Sequence, residues 1–237
     1  MVLLLTATVK PNCDVKFLKI NCSDERLVQY KDCLEFFLRK TIVSKIVLCD
    51  NSNVNKNEFY TLLSLSKKLN KKLEIISFEG NTNAVSKFGK GYGEGEIVEY
   101  AILNSKLLNK DSFFVKLTGR LYVDNINQIW KKLKSDRIYI NATERSTIYA
   151  NTRMYAMSVA DYNMFFRNGY KNVDDSNNVF LENIFKNIII NNGITIHNFP
   201  YYPKIRGISG STGATYRYNK VKCVFKDFLS AFNYYRA

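Results

Sequence analysis

From Val2 to Thr118 the chain alternates short apolar runs with segments of helical period, and that alternation leaves few architectures open. The runs "VLLLTATV", "KIVLCD", "KLEIISF" and "FFVKLT" have the length of strands. Between the first two, Leu27, Tyr30, Leu34, Phe37 and Leu38 recur at helical spacing behind Ser23, which is expected to cap the helix. Further helical segments run through "EFYTLLSLSKKLN" and "EIVEYAILNSKLL". Strands separated by helices of this length predict βαβ units, and so a mainly parallel central sheet flanked by helices in an α/β domain. Ligands of such sheets collect at the carboxyl ends of the strands. Those ends are Thr6 to Lys10, Asp50 to Asn53, Glu79 to Asn83 and Thr118 to Asp124.

The second half is less regular. Short strands are expected near "RIYIN" and "TRMYAMSV", a helix through "NNVFLENIFKNIII", and a strand at "ITIHNF". Two glycine-bearing stretches, "EGNTNAVSKFGKGYGEG" and "PYYPKIRGISGSTGATY", are expected to be loops, the second of them a lid. "GKGYGEG" lacks the spacing of a Walker motif and does not directly follow a strand, so its glycines serve either close backbone approach to a ligand or plain flexibility. With no repeat and no Pro/Gly/Ser linker, 1–219 is expected to form one domain. Its halves are 1–125 and 126–219, followed by an amphipathic helix over 220–237.

A net charge of +14 in 237 residues calls for an anionic partner: nucleic acid, an acidic membrane surface or a phosphorylated substrate. The five cysteines, odd in number and scattered, suit a reduced cytoplasmic protein rather than a disulfide scaffold. A single histidine excludes a His-rich metal centre. The opening "MVLLLTATVK" is too short to cross a bilayer and reads as a strand. In the tail, Val221, Val224, Phe225, Phe228, Leu229 and Phe232 form an apolar face with Lys220, Lys222, Lys226 and Arg236 nearby. That pattern fits either packing on the domain or peripheral contact with an anionic membrane at its inner face.

Asp50 in "VLCDNSN", and the order "FEGN", "GKGYGEGEIVEYAILN", then a strand, resemble the layout of a small GT-A-type glycosyltransferase of the kind found in bacterial or viral surface-polysaccharide synthesis. The resemblance implies a single Rossmann-like domain with a nucleotide-binding half over 1–125 and an acceptor-side half over 126–219, a nucleotide sugar lying across the first strands, Asp50 near the nucleoside, and a DxD metal motif ending the fourth strand. Here that last place holds Thr118-Gly119-Arg120. The departure points to a side-chain cation where the family uses a borrowed one. A leaving diphosphate gains negative charge as the glycosidic bond breaks, and a guanidinium can neutralise it.

The candidates on this reading are Thr6, Thr8, Asp50, Asn51, Ser52, Lys90, Gly91, Lys116, Thr118, Gly119, Arg120, His197, Arg206 and Ser209 for the nucleotide sugar. Arg120 and Lys116 are otherwise a surface salt-bridge partner and a solvent-facing strand residue. Lys204 is a further possible cation from the late loop. Glu182 is the first choice for the carboxylate that takes the acceptor's proton, followed by Asp175 and then Asp174; Glu182 is otherwise a helix-border residue. Glu94 reads as a helix-capping acid with no chemical role. No metal or other cofactor is required, with Mn²⁺ or Mg²⁺ the alternative and Asp124 its ligand. The expected partners are a nucleotide-sugar donor, a UDP-sugar first among them, and a saccharide acceptor, lipid-linked in one version; nucleic acid is not among them. The alternatives are a non-catalytic nucleic-acid-binding module, in which dispersed tyrosines would stack on bases, and a nucleotidyltransferase-like enzyme, for which clustered carboxylates are wanting.

Overall fold

The computed structural model describes residues 1–11, 22–143, 149–208, 213–219, 223, 226 and 227. The four apolar runs become β1 (Val2–Ala7), β2 (Lys45–Asp50), β3 (Lys72–Ser77) and β4 (Phe113–Thr118). β1 is buried at every position because it is flanked by β2 and β4 and covered on both faces. Leu3 and Leu5 pack into one core with Leu34 and Phe37 of α1 (Ser23–Lys40) and Leu62 of α2 (Tyr60–Lys68). Val2 and Leu4 face the opposite core, made with Ile97 and Ala101 of helix Lys90–Asn104. Alternate side chains thus serve opposite faces, as the two-residue period of a strand requires.

The sheet has seven strands in the order β3-β2-β1-β4-β7-β6-β8, with β6 (Ile138–Thr143), β7 (Tyr149–Ser158) and β8 (Ile196–His197) on the late side. β1 to β4 pair in parallel, while β7 runs antiparallel between β4 and β6. The expected α/β architecture with a mainly parallel, helix-flanked sheet is therefore present. A second sheet of three strands, β10-β9-β5, joins β5 (Leu121–Val123), β9 (Ile205–Ile208) and β10 (Thr215–Tyr216). It was not anticipated, and the late polar stretch supplies two of its strands instead of forming one long loop.

Three local expectations are corrected. Cys22 precedes α1 and Ser23 is its first residue, with no side-chain bond closing the turn; Asp24 and Glu25 face the helix's positive end instead. The first glycine-rich stretch is helical, forming α3 (Thr82–Phe88) and α4 (Lys90–Asn104), separated by Gly89. Gly91, Gly93 and Gly95 of α4 are buried. At Gly95 a Cβ would come within 2.1 Å of the Tyr170 Cβ, so these glycines permit close helix packing rather than loop mobility. After α5 (Ile126–Lys132) and the short α6 (Val159–Asp161), α7 spans Leu181–Asn191 and starts later than expected. Asp174 caps a 3₁₀ turn over Asp175–Asn177, and Asn178 adopts a left-handed conformation, which ends that turn before α7 begins.

Candidate functional site

The carboxyl ends of β1, β2 and β4 meet in one register row, Thr6 opposite both Cys49 and Thr118. Gly119 closes this edge, its N–H donating to the Thr6 carbonyl at 2.9 Å. A Cβ there would lie 2.7 Å from that oxygen and 3.2 Å from the Tyr30 ring, so only glycine allows the turn to come so near. The turn delivers Arg120 to α1. Arg120 as a residue is 7% exposed, its Nη1 donates to Gln29 Oε1 at 3.0 Å, and its Cζ lies 5.7 Å from the Tyr30 ring centroid. Arg120 Nε is buried and has no hydrogen-bond partner among the described residues. A surface salt bridge, the alternative role for Arg120, is not what forms.

Thr8 and Asn51 continue the rim, with Thr8 Oγ1 donating to Asn51 Oδ1 at 2.7 Å. Asp50 is wholly buried and accepts from the backbone N–H of Val9, Ser52 and Val54 and from Ser52 Oγ. Its carboxylate shapes the segments leaving β1 and β2, and Ser52 helps by accepting from Lys10 N at 2.9 Å. These two residues therefore set the rim's backbone.

On the α4 side of the edge lies a cluster the sequence reading had only in parts. Lys116 points inward, not to solvent: its side chain is 0% exposed, and Nζ pairs with Glu94 of α4 and donates to the Thr152 carbonyl at 2.7 Å. Burial lowers the Lys116 pKa to about 7, while the Glu182 carboxylate favours the charged form. Thr118 Oγ1 lies 3.4 Å from the same Glu94 oxygen. Glu182, at the start of α7, accepts from Thr152 Oγ1 at 2.9 Å. Asp175 accepts weakly from Gly91 N at 3.4 Å, at the amino end of α4. Burial raises the Asp175 pKa, with the Gly91 N–H and Lys90 acting against it. Asp174 instead binds Ser176 and Asn177, which holds its pKa low. Lys90, Gly91, Glu94, Lys116, Thr118, Asp175 and Glu182 thus belong to one neighbourhood.

Two candidates fall elsewhere. His197 is on the last strand of the sheet, in the row Leu3, Val115, Ala156, Tyr139, His197. That row is three residues back from Thr6, roughly 10 Å along the strands, and β7 and β6 separate it from β4. The geometry therefore gives His197 no place at the edge. Arg206 donates to Asp124 Oδ1 at 2.7 Å and lies 4.1 Å from the Tyr122 ring centroid, which fixes it to the small sheet. Ser209 lies outside the described residues, as does the rest of the lid stretch to 212. So does most of the 220–237 tail.

Asp124, the one carboxylate proposed as a metal ligand, also receives Tyr218 OH at 3.1 Å, so both its oxygens are engaged. Among the described residues no three His, Cys, Asp or Glu side chains are grouped as a metal site. Five tyrosines, Tyr30, Tyr139, Tyr155, Tyr162 and Tyr170, are buried in the two cores and offer no stacking platform for bases.

Sequence reasoning passed over Arg26, Gln29 and Thr152, placed Tyr30 only on the apolar stripe of the first helix, and set Glu94 aside. Arg26 carried a legible signal: it stands four residues before Tyr30, on the stripe that continues through Cys33, Leu34 and Phe37.

No family model matches the chain, and no curated protein matches it in sequence. Among solved structures, the galactosyltransferase LgtC in complex with donor and acceptor sugar analogs is similar over 85% of this chain and 74% of its own, at 9% identity and a TM-score of 0.54. The glycosyltransferase GlyE of Streptococcus pneumoniae TIGR4 aligns over 79% of this chain and 42% of its own, at 10% identity and a TM-score of 0.47. A Bacillus anthracis protein assigned as a glucose-1-phosphate thymidylyltransferase, bound to sucrose, aligns over 97% of this chain and 94% of its own, at 10% identity and a TM-score of 0.47. The likeness to LgtC is one of fold, and the fold of this chain is GT-A-like.

Proposed function

We propose that this chain is a glycosyltransferase, which takes a sugar from a nucleoside-diphosphate sugar, a UDP-sugar first among the candidates, and passes it to a saccharide acceptor with inversion and without a metal ion. The observation that carries this reading is Arg120: a buried guanidinium with an unpaired Nε, standing at the β4–β5 turn of a GT-A-like sheet. In the reaction the acceptor oxygen attacks the anomeric carbon, the bond from that carbon to the diphosphate oxygen breaks, and the electron pair leaves with the diphosphate. Arg120 stabilises that growing charge. Glu182 takes the acceptor's proton, with Thr152 Oγ1 orienting the carboxylate.

Surface polysaccharide or glycoconjugate synthesis is the setting this reading suits. Cytoplasmic placement with peripheral contact at the inner membrane face, through the lysines and apolar residues of 220–237, belongs to the same proposal. No helix among the described residues is long and apolar enough to cross a membrane.

The test is calorimetry with UDP, GDP, CMP and dTDP in EDTA, followed by transfer from the matching nucleotide sugar to saccharide acceptors. Binding and turnover that survive EDTA are the expected result. Loss of both in EDTA with recovery on Mn²⁺ would overturn the metal-free mechanism. Binding of single-stranded oligonucleotides with no response to any nucleotide would overturn the reading itself.

A further inference from the structure

Lysines gather at the amino edge of the seven-stranded sheet, opposite the candidate site. Helices of such a fold run back against the strands, so the ends of α1, α2, α4 and α5 meet there with the first residues of β2, β3, β4 and β6. The connecting segments 39–45, 67–72, 103–112 and 131–137 hold three, four, two and four Lys or Arg, against only Asp111 and Asp136. From β3 to β6 this edge crosses six strands, a width of about 24 Å. The carboxyl edge is the reverse, with Asp50, Glu94, Asp175 and Glu182 gathered around it.

Two of these cations have local tasks. Arg39 pairs with Glu35, and Lys71 Nζ donates to the Phe37 and Thr41 carbonyls at the end of α1. The rest have no ion-pair partner among the described residues. The negative end of a helix accounts for lysines in its last turn, such as Lys67, Lys68, Lys131 and Lys132. It does not account for Lys45 and Lys72, the first residues of β2 and β3. They stand opposite each other in the register, both exposed, on strands about 4.8 Å apart, where like charges repel. That repulsion costs stability in the free protein and is relieved against an anionic surface.

Among the lysines stand three exposed aliphatic side chains: Ile42 after α1, Leu69 after α2 and Leu103 in the last turn of α4. Cations interspersed with aliphatic groups suit the headgroups and upper acyl region of a bilayer. A nucleic acid would call for aromatic side chains on which bases stack, and the four segments contain no aromatic residue.

We propose that the amino edge of the sheet is a docking face for an anionic phospholipid bilayer, with its lysines on the headgroup phosphates and Ile42, Leu69 and Leu103 in the interface. Docked in this way, the carboxyl edge faces away from the headgroups by the length of a six-residue strand, about 20 Å. The face is separate from 220–237, and it stands or falls independently of the glycosyltransferase reading.

The test is co-sedimentation of the full chain with vesicles of phosphatidylcholine, alone or with about 30% phosphatidylglycerol, in about 0.1 M salt. Wild type is expected to bind only the anionic vesicles and to come off them as salt rises to about 0.5 M. Lys45→Gln/Lys72→Gln/Lys106→Gln should bind about tenfold or more weakly, since each lysine near such a surface contributes. Lys56→Gln/Lys87→Gln/Lys171→Gln removes the same charge away from this edge and should match wild type within about twofold. Ile42→Ser/Leu69→Ser/Leu103→Ser keeps every charge and should bind several-fold more weakly. Circular dichroism checks the folding of each triple, and where one fails to fold its three single variants are read instead. UDP affinity should be the same across the set; a wild type that binds anionic vesicles but no nucleotide removes the glycosyltransferase reading and leaves the face standing. Wild-type vesicle binding by the Lys45/Lys72/Lys106 triple overturns the proposal, whatever Lys220→Gln/Lys222→Gln in the tail does. Equal loss in the two lysine triples reduces the effect to overall charge and overturns it as well. Unchanged binding in the serine triple, or a single-stranded oligonucleotide bound in preference to the anionic vesicles, overturns the bilayer as the occupant.

Discussion

Thr152 donates from Oγ1 to Glu182 Oε1 at 2.9 Å, while its own carbonyl accepts from Lys116 Nζ at 2.7 Å. One buried residue of β7 thereby links the proposed base on α7 to the buried ammonium of β4. The link fixes one oxygen of Glu182 and leaves the other for a substrate hydroxyl. Glu182→Gln should therefore cut sugar transfer by about 10²-fold or more while nucleotide affinity stays near wild type. Thr152→Val keeps the shape but removes the donor, and should cost about 1 kcal/mol of stability with a smaller fall in turnover. Initial rates beside calorimetry on the same preparations decide. Wild-type turnover in Glu182→Gln would pass the role to Asp175.

Lys116 and Glu94 make a second prediction, about stability. The ammonium is fully buried, and the carboxylate side chain is 28% exposed, so water can compensate Glu94 only in part. Lys116→Met fills nearly the same volume but leaves Glu94 and the Thr152 carbonyl without their donor. Breaking a buried pair in this way should cost about 3 kcal/mol in urea unfolding. The double variant Lys116→Met/Glu94→Gln, which removes both charges, should recover part of that loss. Additive losses in the double variant would mean that the pair contributes nothing as a pair.

How much of this was open to reading from the sequence depends on whether the signal was local. β1 to β4 and the helices between them follow from apolar runs and helical spacing, because fully buried strands need no partner to reveal them. Lys116 was visible as a charge in such a run, but strand alternation alone cannot say which face a helix from elsewhere will cover; α4 and α7 cover this one. Arg206 and Asp124 lie far apart in sequence and meet only because β9 pairs with β5. The small sheet has strands of two to four residues, too short to carry a period. For Gly89 to Gly95 the local signal pointed the wrong way, since glycine disfavours a helix unless tertiary packing repays it.

Asp175 carries the pH prediction. Its pKa is raised by burial, so between the ordinary aspartate value of about 3.9 and its raised value the unfolded chain has released a proton that the folded chain still holds. The stability contributed by this group is complete below the unfolded pKa and is lost as pH rises through the folded one. Asp175→Asn removes the titration. Wild-type unfolding free energy, relative to the variant, should fall as pH rises across that interval and then level off. A difference that is flat with pH, or of the opposite slope, would mean that the Gly91 N–H and Lys90 outweigh burial.

The glycines of α4 give the last prediction, and it separates packing from flexibility. Gly→Ala inside a helix gains up to about 1 kcal/mol when the added methyl has room. At Gly95 it has none: the new Cβ would stand 2.1 Å from Tyr170 Cβ and 2.7 Å from its Cγ, atoms close to the backbone that cannot swing aside. At Gly93 the nearest atom is a Val85 methyl at 3.1 Å, on the short helix α3, which has no buried residue and can yield. Gly95→Ala should thus lose about 2 kcal/mol by overpacking, and Gly93→Ala should be near neutral. Tyr170→Gly, which removes that Cβ, should also be destabilising alone, and adding Gly95→Ala to it should do no further harm and regain part of the helix propensity. Chemical unfolding of the three single and double variants reads the cycle directly. If Gly95→Ala were as stable as wild type, α4 would not lie this close to Tyr170, and the placement of Glu94 beside Lys116 would go with it.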